Sequence, residues 1–174
     1  GKTTTLVESM LEVLKEEKQI MVCAPSNAAT DHLAKCLAAK GLRVVRIGNL
    51  AKVETDNTAL TLDVILQKEK DFKQIKELKR RALDLRKMGG KYKRSFGREE
   101  AEQRKLIFQE ARAMSREARE LESYLIQKVL DEAQVIACTL IGSTSDDLAG
   151  RRFSTVVIDE AGQGLEPAVW VPLL

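Results

Sequence analysis

Short apolar runs alternate with amphipathic stretches along this chain. The runs are 19–24 (Q-I-M-V-C-A), 42–47 (L-R-V-V-R-I), 134–140 (Q-V-I-A-C-T-L) and 155–158 (T-V-V-I). Runs of this length, rich in β-branched residues, are typical of strands that are buried on both faces. Apolar residues recur at helical spacing along 6–14 and 28–37, and Gly41 follows as a helix stop. The alternation predicts an α/β fold in which helices cover a parallel sheet.

A block of different character, 49–132, separates the second run from the third. It is rich in Glu, Lys, Arg, Leu and Ala, and its apolar residues step by three and four along 63–88 and again along 98–132. The stepping residues are Ile75, Leu78, Ala82 and Leu85 on the first arm, and Ala111, Met114, Ala118, Leu121 and Leu125 on the second. This pattern predicts an antiparallel helical hairpin. We therefore expect 1–48 and 133–174 to form two halves of one α/β domain, with 49–132 as an insertion.

The segment that joins the two arms differs from both. Residues 86–98 (R-K-M-G-G-K-Y-K-R-S-F-G-R) contain six basic residues and no acid, interleaved with two aromatic residues and three glycines. A flexible basic and aromatic loop suits contact with a nucleic-acid strand, here through Lys91, Lys93 and Arg94. The alternative is a solvated surface loop, since basic loop tips are common.

Composition narrows the class of protein only modestly. With 174 residues and 44% hydrophobic residues, the chain is long enough to bury one sizeable core. The net charge of +3 is small, so any nucleic-acid footprint must be local. Three cysteines without metal-ligand spacing favour a reducing compartment, cytoplasmic or nuclear. No stretch of this sequence has the length and apolar character of a signal peptide or a membrane span.

The last apolar run ends on two adjacent carboxylates, Asp159 and Glu160. They would lie at the carboxyl edge of the sheet, which is where ligand sites of α/β folds form. Two such charges need a partner, and a cation or a reacting water is the natural one. The alternative is an acidic helix N-terminus just past the strand.

The chain opens on G-K-T-T-T-L-V-E, the second half of the phosphate-loop pattern G-x-x-x-x-G-K-[ST]. Gly1 lets backbone N–H groups approach a phosphate, and Lys2 supplies a point charge to the β- and γ-phosphates. The hydroxyl of Thr3 is a ligand for Mg²⁺. G-K-T alone is a weak match, but together with V-V-I-D-E it supplies complementary ligands for one Mg–nucleotide.

Five segments occur in the order of a known family. They are G-K-T-T-T-L-V-E, V-C-A-P-S-N-A-A-T-D-H-L, V-V-R-I-G-N, V-I-A-C-T-L-I-G-S and V-V-I-D-E-A-G-Q-G-L-E-P-A-V-W-V-P-L-L. They resemble motifs I, Ia, Ib, Ic and II of superfamily 1 helicases of the up-frameshift type, the group of senataxin and the immunoglobulin-mu-binding-protein helicase. The resemblance implies a RecA-like P-loop sheet with a helical-hairpin insertion that helps to clamp nucleic acid. It also implies an ATP-dependent helicase or translocase that moves 5′-to-3′ on single-stranded DNA or RNA.

The resemblance further implies roles for residues at the nucleotide. Gly1, Lys2, Thr3 and Thr4 would contact the phosphates of ATP, with Thr3 and Asp159 holding Mg²⁺. Glu160 would act as the general base on the attacking water, and Lys2 would neutralise charge during phosphoryl transfer. Gln163 would couple the nucleotide to the strand, although a glutamine at this spacing also suits a helix cap.

Four residues match motifs that contact the nucleic-acid backbone. These are Pro25, Ser26, Asn27 and Thr139. Hydroxyl and amide donors suit phosphate and sugar oxygens without reading sequence. Helix N-capping uses the same residue types, and it is the alternative for Ser26 and Asn27. A loop or cap role is the alternative for Thr139.

The chain also departs from the full family pattern. The upstream half of the phosphate loop and the second motor domain are missing, so we expect a monomeric fragment that is inactive alone. The arginine residues of that second domain stabilise transition-state charge in related hydrolases. One rival, a coiled-coil repair ATPase, needs an S-G-G-type signature that 142–153 does not supply. The other rival is a non-catalytic nucleic-acid-binding P-loop module.

Overall fold

The computed structural model describes residues 1–48, 55–90 and 97–174, with the backbone alone for 55–57. The helices are α1 (Lys2–Val13), α2 (Asn27–Ala39), α3 (Leu62–Lys68), α4 (Phe72–Gly90), α5 (Arg98–Glu132) and α6 (Glu166–Trp170). The strands are β1 (Ile20–Ala24), β2 (Val44–Arg46), β3 (Val135–Thr139) and β4 (Val156–Ile158). Each predicted strand is present and is shorter by one to three residues, because runs of apolar side chains extend past the last ladder hydrogen bond.

The four strands form one parallel sheet in the order β2-β3-β1-β4. β1 lies between β3 and β4, with Cys23 opposite Cys138 on one side and Ile158 on the other. All five residues of β1 are buried, as expected for a strand with helices on its faces. The predicted α/β class with a parallel sheet is confirmed.

The core of this sheet unit is formed by β1, β3 and the apolar sides of two helices. Val7 and Met10 of α1 pack in the same cluster as Leu33 and Leu37 of α2. Both leucines are fully buried, so truncating either to alanine is expected to cost about 2–5 kcal/mol. Helix α2 ends one residue before Lys40, and Gly41 follows with φ +84°. This left-handed position confirms the predicted glycine stop.

The chain divides into two compact units. One contains Gly1–Leu66 with Gln127–Leu174, and the other is Gln67–Ile126. Within the second unit, Lys79 Nζ lies 2.7 Å from Glu122 Oε1, and Arg86 Nη2 lies 3.1 Å from Ser115 Oγ. From Lys79 to Arg86 the chain of α4 advances by seven residues, while the contacted residue in α5 moves back by seven, from Glu122 to Ser115. The two helices are therefore antiparallel. The residues predicted to pack between them are buried at Ile75, Ala82, Ala111, Ala118 and Leu125.

The first arm of the hairpin is not one helix. The periodicity along 63–88 predicts a continuous arm, but α3 ends at Lys68 and α4 begins at Phe72. The carbonyl of Asp71 accepts the first bond of α4 from the Ile75 N–H at 3.2 Å. Aspartate favours the position just before a helix, so a local capping preference interrupts the apolar period here.

The tip residues Lys91, Lys93 and Arg94 lie outside the described residues, as does the expected start of the insertion at 49.

Candidate functional site

Three strands end side by side at the carboxyl edge of the sheet. Ala24 of β1 is in register with Thr139 of β3, and the Leu140 N–H donates to the Ala24 carbonyl at 3.1 Å. On the other side, the Asp159 N–H donates to the Cys23 carbonyl at 2.9 Å. The candidate residues that follow β1, β3 and β4 therefore lie in one row.

Helix α1 precedes β1 and has about the same length. A short turn joins the end of α1 to the start of β1, and both elements share the core cluster through Met10 and Ile20. The 12 residues of α1 span about 18 Å and the five residues of β1 about 17 Å. A helix of this length that runs back along β1 would bring Lys2 and Thr3 near the carboxyl ends of the strands.

The first turn of α1 is suited to an anion. It contains no acidic residue and no side-chain cap, so the first N–H groups of the helix and its positive end remain available. Lys2 and Thr4 are exposed, and Thr3 is half-buried.

The two carboxylates after β4 differ in backbone conformation. Glu160 has φ 52° and ψ 35°, and it alone among the described non-glycine residues has a positive φ. Its N–H donates to Asp159 Oδ1 at 2.9 Å. The left-handed conformation costs an L-residue about 1–2 kcal/mol. Asp159 is half-buried while the Glu160 side chain is exposed, so the turn directs the second carboxylate away from the strand and toward solvent.

Gln163 ends the 3₁₀ turn Ala161–Gln163, and its backbone N–H donates to the Glu160 carbonyl at 2.8 Å. The residue in the N-cap position of α6 is Leu165, so Gln163 does not cap that helix. Its side chain is exposed on the same turn as Glu160. The turn thus keeps an amide side chain three residues from the candidate base.

A hydroxyl and a carboxylate fit a magnesium ion that a nucleotide brings with it. Mg²⁺ is usually held by one or two carboxylates together with substrate phosphates, and not by a cage made of protein side chains. In 1–48, 55–90 and 97–174, no three or more His, Cys, Asp or Glu side chains are grouped to hold a metal. The oxygen donors of Thr3 and Asp159 are the hard ligands that Mg²⁺ prefers.

Ser26 caps α2. Its Oγ accepts a hydrogen bond from the Ala29 N–H at 3.1 Å, so the capping alternative is observed for this residue. The hydroxyl proton is still able to donate, because accepting a bond uses a lone pair. Pro25, half-buried, separates the end of β1 from this cap.

Asn27 does not cap the helix but contacts a buried arginine. Arg46 Nη2 donates to Asn27 Oδ1 at 3.0 Å, and Arg46 Nε donates to Asp31 Oδ1 at 2.7 Å. Arg46 Nη1 also donates to the Ile47 carbonyl. Arg46 is 1% exposed and Asp31 is 0% exposed. The guanidinium thereby joins the end of β2 to the first turn of α2.

Sequence reasoning missed the roles of Arg46 and Asp31. One signal was present, because an arginine within an otherwise apolar strand requires a buried partner. Its partner lies 15 positions away, in a helix whose face toward the strand cannot be read from the strand itself.

Thr139 has a loop role. Its Oγ1 accepts from the Gly142 N–H at 3.1 Å, and a Cβ at Gly142 would lie 2.8 Å from that oxygen. Only glycine permits this approach without displacing the side chain. As with Ser26, the Thr139 hydroxyl retains a proton to donate.

Behind this edge, two thiols face each other in the core. Cys23 Sγ and Cys138 Sγ are 3.5 Å apart on neighbouring strands, and both residues are 0% exposed. The hydrogen bond with Cys138 and burial raise the pKa of the Cys23 thiol. The third cysteine, Cys36, is half-buried on α2. The two strand cysteines are thus core residues.

The helical unit contains a small cleft lined by arginines, which we name the arginine cleft. Its volume is about 240 Å³, and it is lined by Arg86, Arg112, Ser115, Arg116 and Arg119. The three arginines of α5 recur at i, i+4 and i+7, which places them on one face. None of these three forms an ion pair with another described residue. A larger cavity of about 740 Å³ adjoins 151–156 and 171–174, and no residue expected to bind nucleotide lines it.

Comparison with known proteins covers the whole chain. The AAA domain family matches residues 1–174. The DNA polymerase alpha-associated DNA helicase A of Schizosaccharomyces pombe is 34% identical over all of this chain and 26% of its own length. The DNA-binding protein SMUBP-2 of Mesocricetus auratus is 32% identical over all of this chain and 17% of its own length. The ATP-dependent helicase upf1 of S. pombe is 31% identical over 92% of this chain. The chain therefore spans about a quarter or less of the length of these curated relatives.

No helix among the described residues is both long enough and apolar enough to cross a membrane.

Proposed function

The chain belongs to the AAA domain family, and we propose that it is the first motor domain of an ATP-dependent nucleic-acid helicase or translocase of the up-frameshift type. One observation supports this above the others. Asp159 and Glu160 follow β4, Ser26 and Asn27 follow β1, and these two strands are neighbours in one sheet. The Asp159 N–H donates to the Cys23 carbonyl in the strand that leads into Ser26. Such proximity is what coupling of hydrolysis to movement along a strand requires.

At the nucleotide, each residue has a distinct task. Gly1, Lys2, Thr3 and Thr4 bind the phosphates, since they form the uncapped start of a helix. Bound Mg–ATP supplies the transferable phosphoryl group, and Thr3 and Asp159 are the oxygen donors for its metal. The Glu160 carboxylate accepts a proton from the attacking water, and the exposed amide of Gln163 on the same turn links this point to the nucleic-acid site.

At the strand, Pro25, Ser26, Asn27 and Thr139 contact the sugar–phosphate backbone. Two hydroxyl protons and the Asn27 amide are the donors, and none of them reads a base. DNA and RNA both present phosphate oxygens, so the proposal covers single strands of either kind. The 5′-to-3′ direction follows from the family resemblance.

The helical insertion, proposed as 49–132, adds a second contact with the strand. Its tip residues Lys91, Lys93 and Arg94 are basic, and the arginine cleft places four guanidinium groups without a lining carboxylate on the arms. Like charges in one cleft repel each other, and a phosphodiester relieves that repulsion. We propose that a second motor domain of the same parent chain completes the catalytic site of a monomer in a reducing cytoplasmic or nuclear compartment.

The first test is Glu160→Gln in the full-length protein. The amide cannot accept the proton, so we expect nucleic-acid-stimulated ATP hydrolysis to fall about 10²–10⁴-fold while ATP affinity is kept. Glu16→Gln is the matched control, because it makes the same change at an exposed position in the turn after α1. Hydrolysis that survives Glu160→Gln unchanged would show that Glu160 is not the general base. An original full-length protein that binds nucleic acid but hydrolyses no ATP would favour the non-catalytic nucleic-acid-binding module.

The second test concerns the tip. Replacing Lys91, Lys93 and Arg94 with alanine should flatten the dependence of single-strand affinity on salt. Each phosphate contact contributes about 0.7 to the slope of log K against log salt concentration, so the slope should fall by about 2.

The control makes the same charge change at Lys15, Lys18 and Arg80, which are exposed and belong neither to the tip nor to the residues of the sheet edge. Their surface ion pairs are worth little, so the control should leave the slope as it is. Equal slopes for both triple variants would make the tip a solvated surface.

A further inference from the structure

The buried contact between Arg46 and Asn27 links a residue without an assigned role to a candidate nucleic-acid contact. Arg46 Nη2 lies 3.0 Å from Asn27 Oδ1, in a first helical turn that follows directly from β1. Asn27 is half-buried, while Arg46 is 1% exposed. One end of the asparagine side chain is thus held from inside the protein.

This contact determines which way the amide is turned. A guanidinium has donors and no acceptor, so only the carbonyl oxygen of Asn27 can face it. The NH₂ group, with two donors, is consequently directed away from Arg46. A phosphate oxygen accepts hydrogen bonds and therefore needs a donor, whereas a flipped amide would present an oxygen to it.

The arginine itself is fixed by acceptors from three places. Besides Asn27, it donates to Asp31 Oδ1 at 2.7 Å and to the Ile47 carbonyl. The planar fork of arginine serves several acceptors at fixed angles, whereas lysine offers a single rotating ammonium. Gly48, with φ +150°, closes over this group, since a Cβ there would lie 3.0 Å from Nη1. The charge is balanced by Asp31, so the role of Arg46 is geometric and not a direct attraction to the strand.

We propose that Arg46, held by Asp31, is a positioning residue that orients the Asn27 amide toward a phosphate oxygen of a bound nucleic-acid strand. The inference rests on the proposed function through Asn27, and it adds a residue that never touches the strand. A donor that is already oriented loses less side-chain freedom on binding, which increases affinity. Polarisation by the cation also makes the amide N–H groups stronger donors.

The experiment measures affinity of the full-length protein for a fluorescein-labelled dT₁₅ strand by anisotropy, with thermal unfolding of each variant recorded in parallel. Asn27→Ala should weaken binding on the order of tenfold, because a hydrogen bond to a charged group is lost. Arg46→Lys keeps the charge but not the fork, and should weaken binding severalfold. In the double variant the two effects should not multiply, since Arg46 acts only through Asn27.

Two controls separate positioning from general damage to the fold. Arg43→Lys makes the same change on the preceding exposed arginine and should leave affinity unchanged. Val44→Ala removes buried volume from the same strand, so it should lower the unfolding temperature without weakening binding.

A second pair of variants does not depend on the folding of Arg46→Lys. Asn27→Asp retains an acceptor for Arg46 and should keep the unfolding temperature. It replaces the N–H donors with a negatively charged oxygen that repels a phosphate, so it should bind the strand more weakly than Asn27→Ala. Asn27→Leu removes the acceptor too and should lower the unfolding temperature. An Asn27→Asp protein that binds like the original would overturn the proposal.

The outcomes also separate this inference from the proposed function. If Asn27→Ala weakens binding and Arg46→Lys does not, or if their effects multiply, Arg46 is not a positioning residue and the contact at Asn27 stands. If neither Asn27→Ala nor Ser26→Ala weakens binding, the proposed contact itself is wrong, and the role of Arg46 falls with it.

Discussion

The left-handed backbone at Glu160 leads to a sharp prediction about stability. At this position glycine should be better tolerated than alanine, because glycine adopts φ 52° without a clash of its Cβ. Alanine keeps a steric cost of about 1–2 kcal/mol, and glycine incurs about 0.5–1 kcal/mol of extra chain entropy on folding. The net preference for glycine over alanine at 160 is therefore on the order of 1 kcal/mol.

An ordinary helical position should show the opposite sign. Glu8 lies in the middle of α1 with an exposed side chain, and its ion pair with Lys40 is lost equally in both substitutions. There alanine should exceed glycine by about 1 kcal/mol. The assay is urea unfolding of the four variants Glu160→Gly, Glu160→Ala, Glu8→Gly and Glu8→Ala, followed by circular dichroism. The predicted result is that the difference in unfolding free energy between the glycine and alanine variants has opposite signs at positions 160 and 8. Comparing the two positions removes errors that are common to both.

A preference for alanine at both positions would refute the reasoning and place Glu160 in an ordinary backbone conformation. If the reversal is found, both Glu160 variants should still lose ATP hydrolysis in the full-length protein, since neither has a carboxylate. The strained turn would then be a position where stability is lower than it could be and the side chain is kept for its chemistry.

Two further predictions concern other parts of the chain. Gly142→Ala should destabilise the protein by about 1–3 kcal/mol in urea unfolding, because its Cβ would lie 2.8 Å from Thr139 Oγ1, whereas Gly162→Ala, with nothing within 4 Å, should be close to neutral. Hydrogen bonds from Arg80 and then Arg81 hold the pKa of Glu77 at about 2, below its ordinary 4.5. This lowered pKa means that the ion pair stabilises α4 above pH 4.5 and is lost as the pH falls through 2. The difference in helicity between the original chain and Glu77→Gln should therefore disappear over that range, and a difference that persists at pH 2 would contradict it.

The sequence predicted the elements whose signals are local. Strands β1, β2 and β3 were evident because a buried strand reads as an unbroken apolar run, and α2 was bounded because Ser26 and Gly41 are typical cap and stop residues. The run at β4 was also expected to be buried on both faces, which was wrong, since its three residues are half-buried at the edge of the sheet. The break before α4 was not predicted. The apolar period of the sequence continues through 69–71, and the prediction followed that period instead of the capping preference of Asp71.

The candidate site was predictable only as far as motifs extend. Asp159 belongs to a residue pattern with a known chemical purpose, and its place beside the end of β1 followed from parallel strand order. The contact between Arg46 and Asp31 joins separate elements, and the backbone angle of Glu160 is set by the turn that contains it. Neither the contact nor the backbone angle produces a periodic or compositional pattern in the sequence from which it could be predicted.

The placement of the three cysteines offers a practical route to observing the sheet edge. Cys23 and Cys138 are sealed in the core, whereas Cys36 is half-buried on the helix that begins at Asn27. A maleimide dye should therefore attach to Cys36 in the native chain without any cysteine being removed. A fluorophore at that point would lie on the same rigid helix as Asn27, and its signal would follow the arrival of a strand in real time.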